Sequence, residues 1–123
     1  MIRTILFFAL LVMAAGCSGA PSTGDQSTAK DAVKTALEAW KSGGAAAGLA
    51  SGTPAMTVSD YRWESGFKLT KYAIADDTSK SGFDVRIPVD LWLTPPKGKP
   101  IREKAYYNVV TSPTLTVVRD PES

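Results

Sequence analysis

Histidine is absent from this 123-residue chain, and cysteine occurs once, at Cys17. Histidine is the commonest general base and the commonest transition-metal ligand, and serine or cysteine nucleophiles depend on such a base. One cysteine cannot form an internal disulfide, and without histidine it leaves zinc, haem and iron–sulfur sites without ligands. We therefore predict a protein with no catalytic residues, no metal and no cofactor.

A strong excess of charge of one sign is also missing. The chain has 14 basic and 12 acidic residues, and removal of a leader that contains Arg3 leaves 13 and 12, a net charge of +1. Nucleic-acid binding needs a clustered basic surface, so we predict no nucleic-acid partner. The densest basic group, interpreted as a solvated strand edge, is Lys97, Lys99, Arg102 and Lys104. Asp76, Asp77 and Asp84 lack the spacing of a calcium loop and indicate a polar turn.

The first residues have the composition of a secretory signal. Met1 to Thr4 carries the positive charge of Arg3, and Ile5 to Ala15 is an apolar run of eleven residues. A membrane-spanning helix needs about 20 apolar residues, so this run is too short to be a permanent span. We predict a signal peptide over residues 1–16.

The end of that run, Ala15, Gly16 and Cys17, resembles the lipobox of bacterial lipoproteins, with Ala14 where that family usually has leucine. The resemblance implies that Cys17 becomes the mature N-terminus and is acylated. The partner of Cys17 is then a lipid bilayer of the cell envelope, to which several acyl chains anchor a protein stably.

Two further features concern where the chain goes. Ser18 stands where an aspartate would retain many lipoproteins at the inner membrane, which favours the outer membrane. The alternative is ordinary secretion of a soluble protein, with cleavage after Ala20.

Residues 17–27 are predicted to be the lipidated cysteine and a flexible tether, because they contain no large apolar side chain. Residues 28–120 are predicted to form one domain.

The domain begins with an amphipathic helix, predicted from Ala29 to Ser42. Thr28 and Asp31 have the spacing of a capping box, and Gly43-Gly44 stops the helix. Apolar residues spaced three and four apart form the face predicted to pack in the core, and they include Val33, Leu37 and Trp40.

Strands are predicted at residues 55–58, 67–75, 83–93, 100–111 and 114–118, with a polar turn at 76–82. A change of apolar phase predicts a bulge near Thr70-Lys71, and Pro88 predicts an edge, a bulge or an interruption. The alternation of the 83–93 strand puts its apolar residues on one face and Asp84, Arg86, Pro88, Asp90 and Trp92 on the other.

The hairpin formed by the third and fourth strands has a register that charge and polarity select. Pairing Leu93 with Ile101 places Asp90 beside Lys104 and Trp92 beside Arg102 on the outer face, and both pairs are favourable. The same register turns Glu103 and Tyr107 inward.

One N-terminal helix packed on a curved antiparallel sheet of about four strands is an α+β fold. This order resembles the cystatin-like and NTF2-like architectures and a group of small bacterial lipoproteins. The residues that carry the resemblance are the leader, the helix end at residues 36–41, Trp63 and the segment at residues 111–117. The inhibitory Gln-x-Val-x-Gly loop of cystatins is absent. The NTF2-like resemblance implies a cone with a pocket, but Glu103 and Tyr107 would lie about 13 Å apart along their strand, too far for one to position the other's proton.

We therefore predict a membrane-anchored, non-catalytic binding or structural module. Its candidate interaction surface is the outer sheet face with Trp92, Arg102, Lys104 and Tyr106, extended by Arg86, and its partner is an envelope protein or a glycan. The alternative is a small-molecule-binding or enzymatic domain with a pocket between helix and sheet.

Overall fold

A computed structural model describes residues 21–76, 78–81 and 84–123 of the chain. Its elements in chain order are α1 (Pro21–Lys41), a 3-10 segment (Ala46–Ser51), β1 (Met56–Ser59), α2 (Tyr61–Glu64), β2 (Lys68–Ile74), β3 (Ser79–Ser81), β4 (Asp84–Thr94), β5 (Ile101–Val110) and β6 (Leu115–Arg119). The predicted α+β class is confirmed, with a helix against a curled sheet. Cys17, the signal peptide, Asp77 and Phe83 lie outside the described residues.

Helix α1 begins at Pro21, eight residues before the predicted start at Ala29. Thr28 is therefore inside the helix and cannot be its N-cap, so the predicted capping box is wrong. Proline is favoured in the first turn of a helix because its missing N–H would be unpaired there. Gln26, Ser27 and Thr28 are exposed and Ala29 is buried, so these three residues are outside the packed face that includes Ala29.

The packed face of α1 is the predicted one. Val33, Leu37 and Trp40 are at most 3% exposed. The helix ends at Lys41, and Gly43 follows in the left-handed region with φ +91°, donating its N–H to the carbonyl of Trp40 at 2.9 Å. Glycine adopts this conformation without the steric cost that other residues meet, which confirms the predicted stop.

Over the described ranges the sheet has six strands, in the order β1, β6, β5, β4 and β2, with β3 beside β4. Two features differ from the predicted antiparallel meander. Strand β3 lies within the predicted polar turn, and β1 pairs with β6 in parallel, with Ser59 opposite Val118. The parallel pair brings the chain after β1 next to the end of β6, and this juxtaposition positions the buried site described below.

The β4–β5 hairpin has the predicted register, with Leu93 opposite Ile101, Asp90 opposite Lys104 and Trp92 opposite Arg102. The predicted bulge is also confirmed, as a register shift between Leu69 and Lys71 of β2. The inner face of β4, from Val85 to Leu93, is at most 1% exposed and packs in the core with α1.

Pro88 lies where the partner of β4 changes from β2 to β3, which confirms an interruption. The last pair with β2 joins Ile74 to Val89, and the first pair with β3 joins Ser79 to Arg86. The Pro88 carbonyl accepts from the Ala75 N–H at 2.9 Å on this side. The missing proline N–H thus falls in the gap between two partner strands, where no ladder bond is lost.

Candidate functional site

The outer face of the sheet holds the four residues that the sequence predicts as an interaction surface. Trp92 comes from β4, and Arg102, Lys104 and Tyr106 come from alternate positions of the adjacent β5. In the described part of the chain, α1 packs on the opposite, inner face and no helix covers this one. The structure therefore brings the four predicted residues together on one uncovered surface.

Trp92 lies between two cations that belong to the strands on either side of it. The Arg102 guanidinium is 4.7 Å from the ring centroid, and the Lys71 ammonium, from β2, is also 4.7 Å from it. Both distances are within the range of cation–π attraction. The predicted Trp92–Arg102 pair is thus confirmed, and Lys71 is an additional member of the surface.

The ion pair on this face differs from the expected one. Lys104 lies directly opposite Asp90, yet the Asp90 carboxylate contacts Arg102, at 3.5 Å. The Arg102 side chain is 62% exposed, so this pair contributes little to stability. Within the described residues, no carboxylate lies within 4 Å of the Lys104 ammonium.

Tyr106 lies at the other half of the outer face, under Arg86. The Arg86 guanidinium is 4.4 Å from the Tyr106 ring centroid and 2.8 Å from a carboxylate oxygen of Asp120. The pKa of Asp120 is lowered by a hydrogen bond from the Glu122 backbone N–H and by Arg86. Arg86 and Asp120 thus neutralise each other, and the unbalanced positive charge lies in the half that contains Trp92.

A second polar site, which no local pattern in the sequence predicts, is buried under the sheet. Asp60 is 1% exposed and caps α2, accepting from the backbone N–H groups of Arg62 at 2.9 Å and Trp63 at 3.4 Å. Glu64 returns the contact by accepting from the Asp60 N–H at 3.1 Å. These bonds satisfy N–H groups that a helix start leaves without partners.

The strand register brings three more groups to Asp60. Arg119 lies opposite Tyr107 on β5, and Asp60 follows β1, which runs parallel to β6. The Tyr107 hydroxyl donates to one Asp60 oxygen, and Arg119 Nη1 lies 3.4 Å from the other. Arg119 Nη2 also donates to Glu103, whose two oxygens accept from Arg62 Nε and Nη2 at 3.0 Å each.

This buried network is electrically balanced, with Asp60 and Glu103 against Arg62 and Arg119. Burial opposes ionisation of Glu103, but the hydrogen bonds from Arg62 and Arg119 outweigh it, and the pKa of Glu103 is lowered. Burial and the adjacent Asp60 carboxylate raise the pKa of Tyr107 well above its ordinary value. Both groups are thereby held in their usual ionisation states. The predicted register turned Glu103 inward but gave no sign of these two arginine contacts.

Two clefts lie beside α1 rather than at this network. One, of about 530 Å³, is at the C-terminal end of α1 and is lined by Trp40, Gly44, Trp63 and Phe67 among others. Its two indoles are stacked, with centroids 5.4 Å apart and planes 7° apart, and each donates to a backbone carbonyl. A second cleft, of about 360 Å³, lies between α1 and the 3-10 segment. Neither is lined by Asp60 or Tyr107, so no cleft among these gives a ligand access to the network.

Among the residues that the structure describes, no group of three or more acidic or cysteine side chains is arranged to hold a metal ion. No helix in the same residues is long and apolar enough to cross a membrane. Comparison of the chain with family models, with curated proteins and with solved structures gave no match.

Proposed function

We propose that this chain is a lipoprotein of the cell envelope, anchored through acylated Cys17, whose folded domain is a non-catalytic binding module. The leader supports the anchor, because an eleven-residue apolar run ends in Ala15-Gly16-Cys17. The absence of histidine supports a non-catalytic role, since the chain has no residue of the type that most often acts as a general base.

The observation that carries the binding role is the outer sheet face. It is uncovered in the described structure and presents Trp92, Arg102, Lys104 and Tyr106 from adjacent strands. Aromatic and arginine side chains are enriched in binding surfaces, and here the sheet holds them in a fixed register. The alternative of a pocket between helix and sheet has less support, because α1 and the inner sheet face bury their side chains against each other.

Site-specific photocrosslinking in intact cells tests this role. A photoreactive amino acid replaces Lys104, on the outer face, or Lys34, on the exposed side of α1, in the full chain. We expect adducts at position 104 that are absent at position 34 and that disappear in the Trp92→Ala background. Val118→Ala, which changes an exposed residue of β6, two strands away from Trp92 on the same face, is the control and should keep them. The same adducts at both positions, or adducts that Trp92→Ala leaves intact, would remove the outer face from consideration.

A further inference from the structure

The positive charge of the molecule is concentrated at one end of the sheet. Strand β2 contributes Lys68 and Lys71, which lie opposite Thr94 and Trp92 and therefore share the outer face with them. The β4–β5 hairpin adds its own cations beside these two. The resulting group, called the basic end below, is Lys68, Lys71, Lys97, Lys99, Arg102 and Lys104.

The basic end has little internal neutralisation. Among the residues that the structure describes, Asp90 is the one carboxylate on the outer face of this half of the sheet, and it contacts Arg102. In the described structure no carboxylate lies within 4 Å of any of the five lysines. All six cations are exposed. Six positive charges against one negative charge, on a surface three strands wide, give this end of the sheet a positive potential that attracts anions.

The basic end lies at the opposite end of α1 from Pro21. Near the C-terminal end of α1, Trp40 donates to the carbonyl of Phe67 at 2.8 Å, immediately before Lys68. In the N-terminal half of α1, Lys30 is 3.6 Å from Asp76, beyond the other end of β2. The 21 residues of α1 span roughly 30 Å at about 1.5 Å per residue. With Cys17 as the anchor, the basic end is the part of the domain farthest from the attachment point.

The residue types of the basic end favour one class of anionic partner over the others. Lysine is depleted at protein–protein interfaces, yet five of the six cations here are lysines. A membrane-binding aromatic residue inserts its ring into the interface, whereas Lys71 and Arg102 both contact the Trp92 ring. Lysines are mobile point charges without the fixed geometry of arginine, which suits repeated charges on a flexible chain.

We propose that the basic end binds a linear anionic glycan, a polysaccharide that carries repeated carboxylate or phosphate groups outside the cell. This inference rests on the proposed function, since it names a ligand class for one half of the same outer face. Binding by several lysines to a polyanion releases counterions, so the affinity falls steeply with salt.

Binding of the full chain in neutral detergent to polygalacturonate, which has a carboxylate on every sugar, tests the proposal. We expect saturable binding at low salt, at least about tenfold weaker when the salt is raised fourfold. Lys97→Glu with Lys99→Glu should weaken it by at least about tenfold, because each substitution replaces an attractive charge by a repulsive one in an exposed turn. Lys30→Glu with Lys34→Glu, on the opposite layer of the molecule, makes the same change in net charge and should have less than about a threefold effect.

Three outcomes would overturn the glycan proposal: no binding to polygalacturonate, equal loss in both double variants, or tighter binding to an acidic peptide or to vesicles of anionic phospholipid. Uncharged dextran serves as the negative probe. The crosslinking experiment at position 104 tests binding by the outer face without the use of polygalacturonate. Trp92-dependent adducts together with no polygalacturonate binding would leave the binding module standing and remove only the glycan.

Discussion

At the scale of single residues, Arg119 is the most consequential side chain that sequence reasoning did not use. Its side chain is 0% exposed and is held by Asp60 and Glu103, which lie 59 and 16 positions away in the chain. A buried arginine is tolerated only with charged partners, because desolvation of an unpaired guanidinium is too costly. Asp60, Glu103 and Arg119 therefore depend on one another, although the chain around each of them gives no sign of the other two.

This dependence predicts that the contribution of Glu103 to stability changes with pH. Because its folded pKa is lowered, the contribution is present above the ordinary carboxyl pKa of about 4.5 and is lost as the pH falls through the lower folded value. Glu103→Gln should reduce the free energy of unfolding by about 2 kcal/mol at pH 7, from hydrogen bonds between charged groups. Urea unfolding of both chains, repeated from pH 7 to pH 3, should show the difference shrinking below about pH 4.5.

Glu122→Gln is the control for this experiment, since Glu122 is exposed and its carboxylate is in none of the ion pairs of the described residues. It should change stability by less than about 0.5 kcal/mol at any pH. A Glu103→Gln difference that persists unchanged at pH 3 would contradict the ionic account of the network.

At the scale of elements, the stacked pair of Trp40 and Trp63 joins the end of α1 to α2. The rings are nearly parallel, and the two indole N–H groups donate to the carbonyls of Phe67 and Gly44. Helix α2 is a single turn, too short to be stable by itself, so its position depends on this stack and on the Asp60 cap. The helical spacing of the apolar residues predicts a buried Trp40, whereas Trp63 lies in a segment without a clear period and has no such signal.

Trp63→Phe should lower the free energy of unfolding by about 1–2 kcal/mol, because the smaller ring loses the bond to Gly44 and part of the stacking contact. Trp92→Phe makes the same exchange on the outer face, where the indole donates no hydrogen bond within the described residues, and should cost less than about 1 kcal/mol. Chemical denaturation of the three full chains provides the comparison. Equal losses from the two substitutions would mean that the stack does not position α2.

At the scale of the whole molecule, the two ends of α1 have different roles in the proposed arrangement. Three residues separate Cys17 from Pro21, and the four Cα-to-Cα steps between them span at most about 14 Å, so an acyl anchor would hold the start of α1 close to the bilayer. The early start of the helix shortens the tether that the sequence predicts, which extended to Ser27. The domain is thus expected to be held closer to the membrane, with the basic end about one helix length away.

Cys17→Ala should abolish incorporation of a fatty-acid probe and release the chain from the membrane fraction, because several acyl chains supply the anchoring free energy. Labelling cells with the probe and fractionating them measures both effects. Ala14→Leu, which introduces the usual residue of the lipobox, is the companion variant and should leave labelling intact or increase it. Labelling that survives Cys17→Ala, or a wild-type chain found entirely in the soluble fraction, would instead favour ordinary secretion with cleavage after Ala20.

The sequence by itself determined the features that depend on neighbours in the chain. The apolar face of α1, its stop at Gly43, the bulge after Leu69 and the β4–β5 register all follow from local periodicity and from pairing across a short turn. The start of α1 escaped this reasoning because the residues before Ala29 have no apolar pattern to signal it.

Only the tertiary structure decided which distant residues meet. The parallel pairing of β1 with β6 brings Asp60 to Arg119, and the pairing of β2 with β4 adds Lys68 and Lys71 to the lysines of the hairpin. Local patterns constrain which face a residue occupies, but a contact across tens of residues depends on strand order, which side-chain periodicity does not encode. The isolated basic group of the sequence thereby becomes one end of a wider surface.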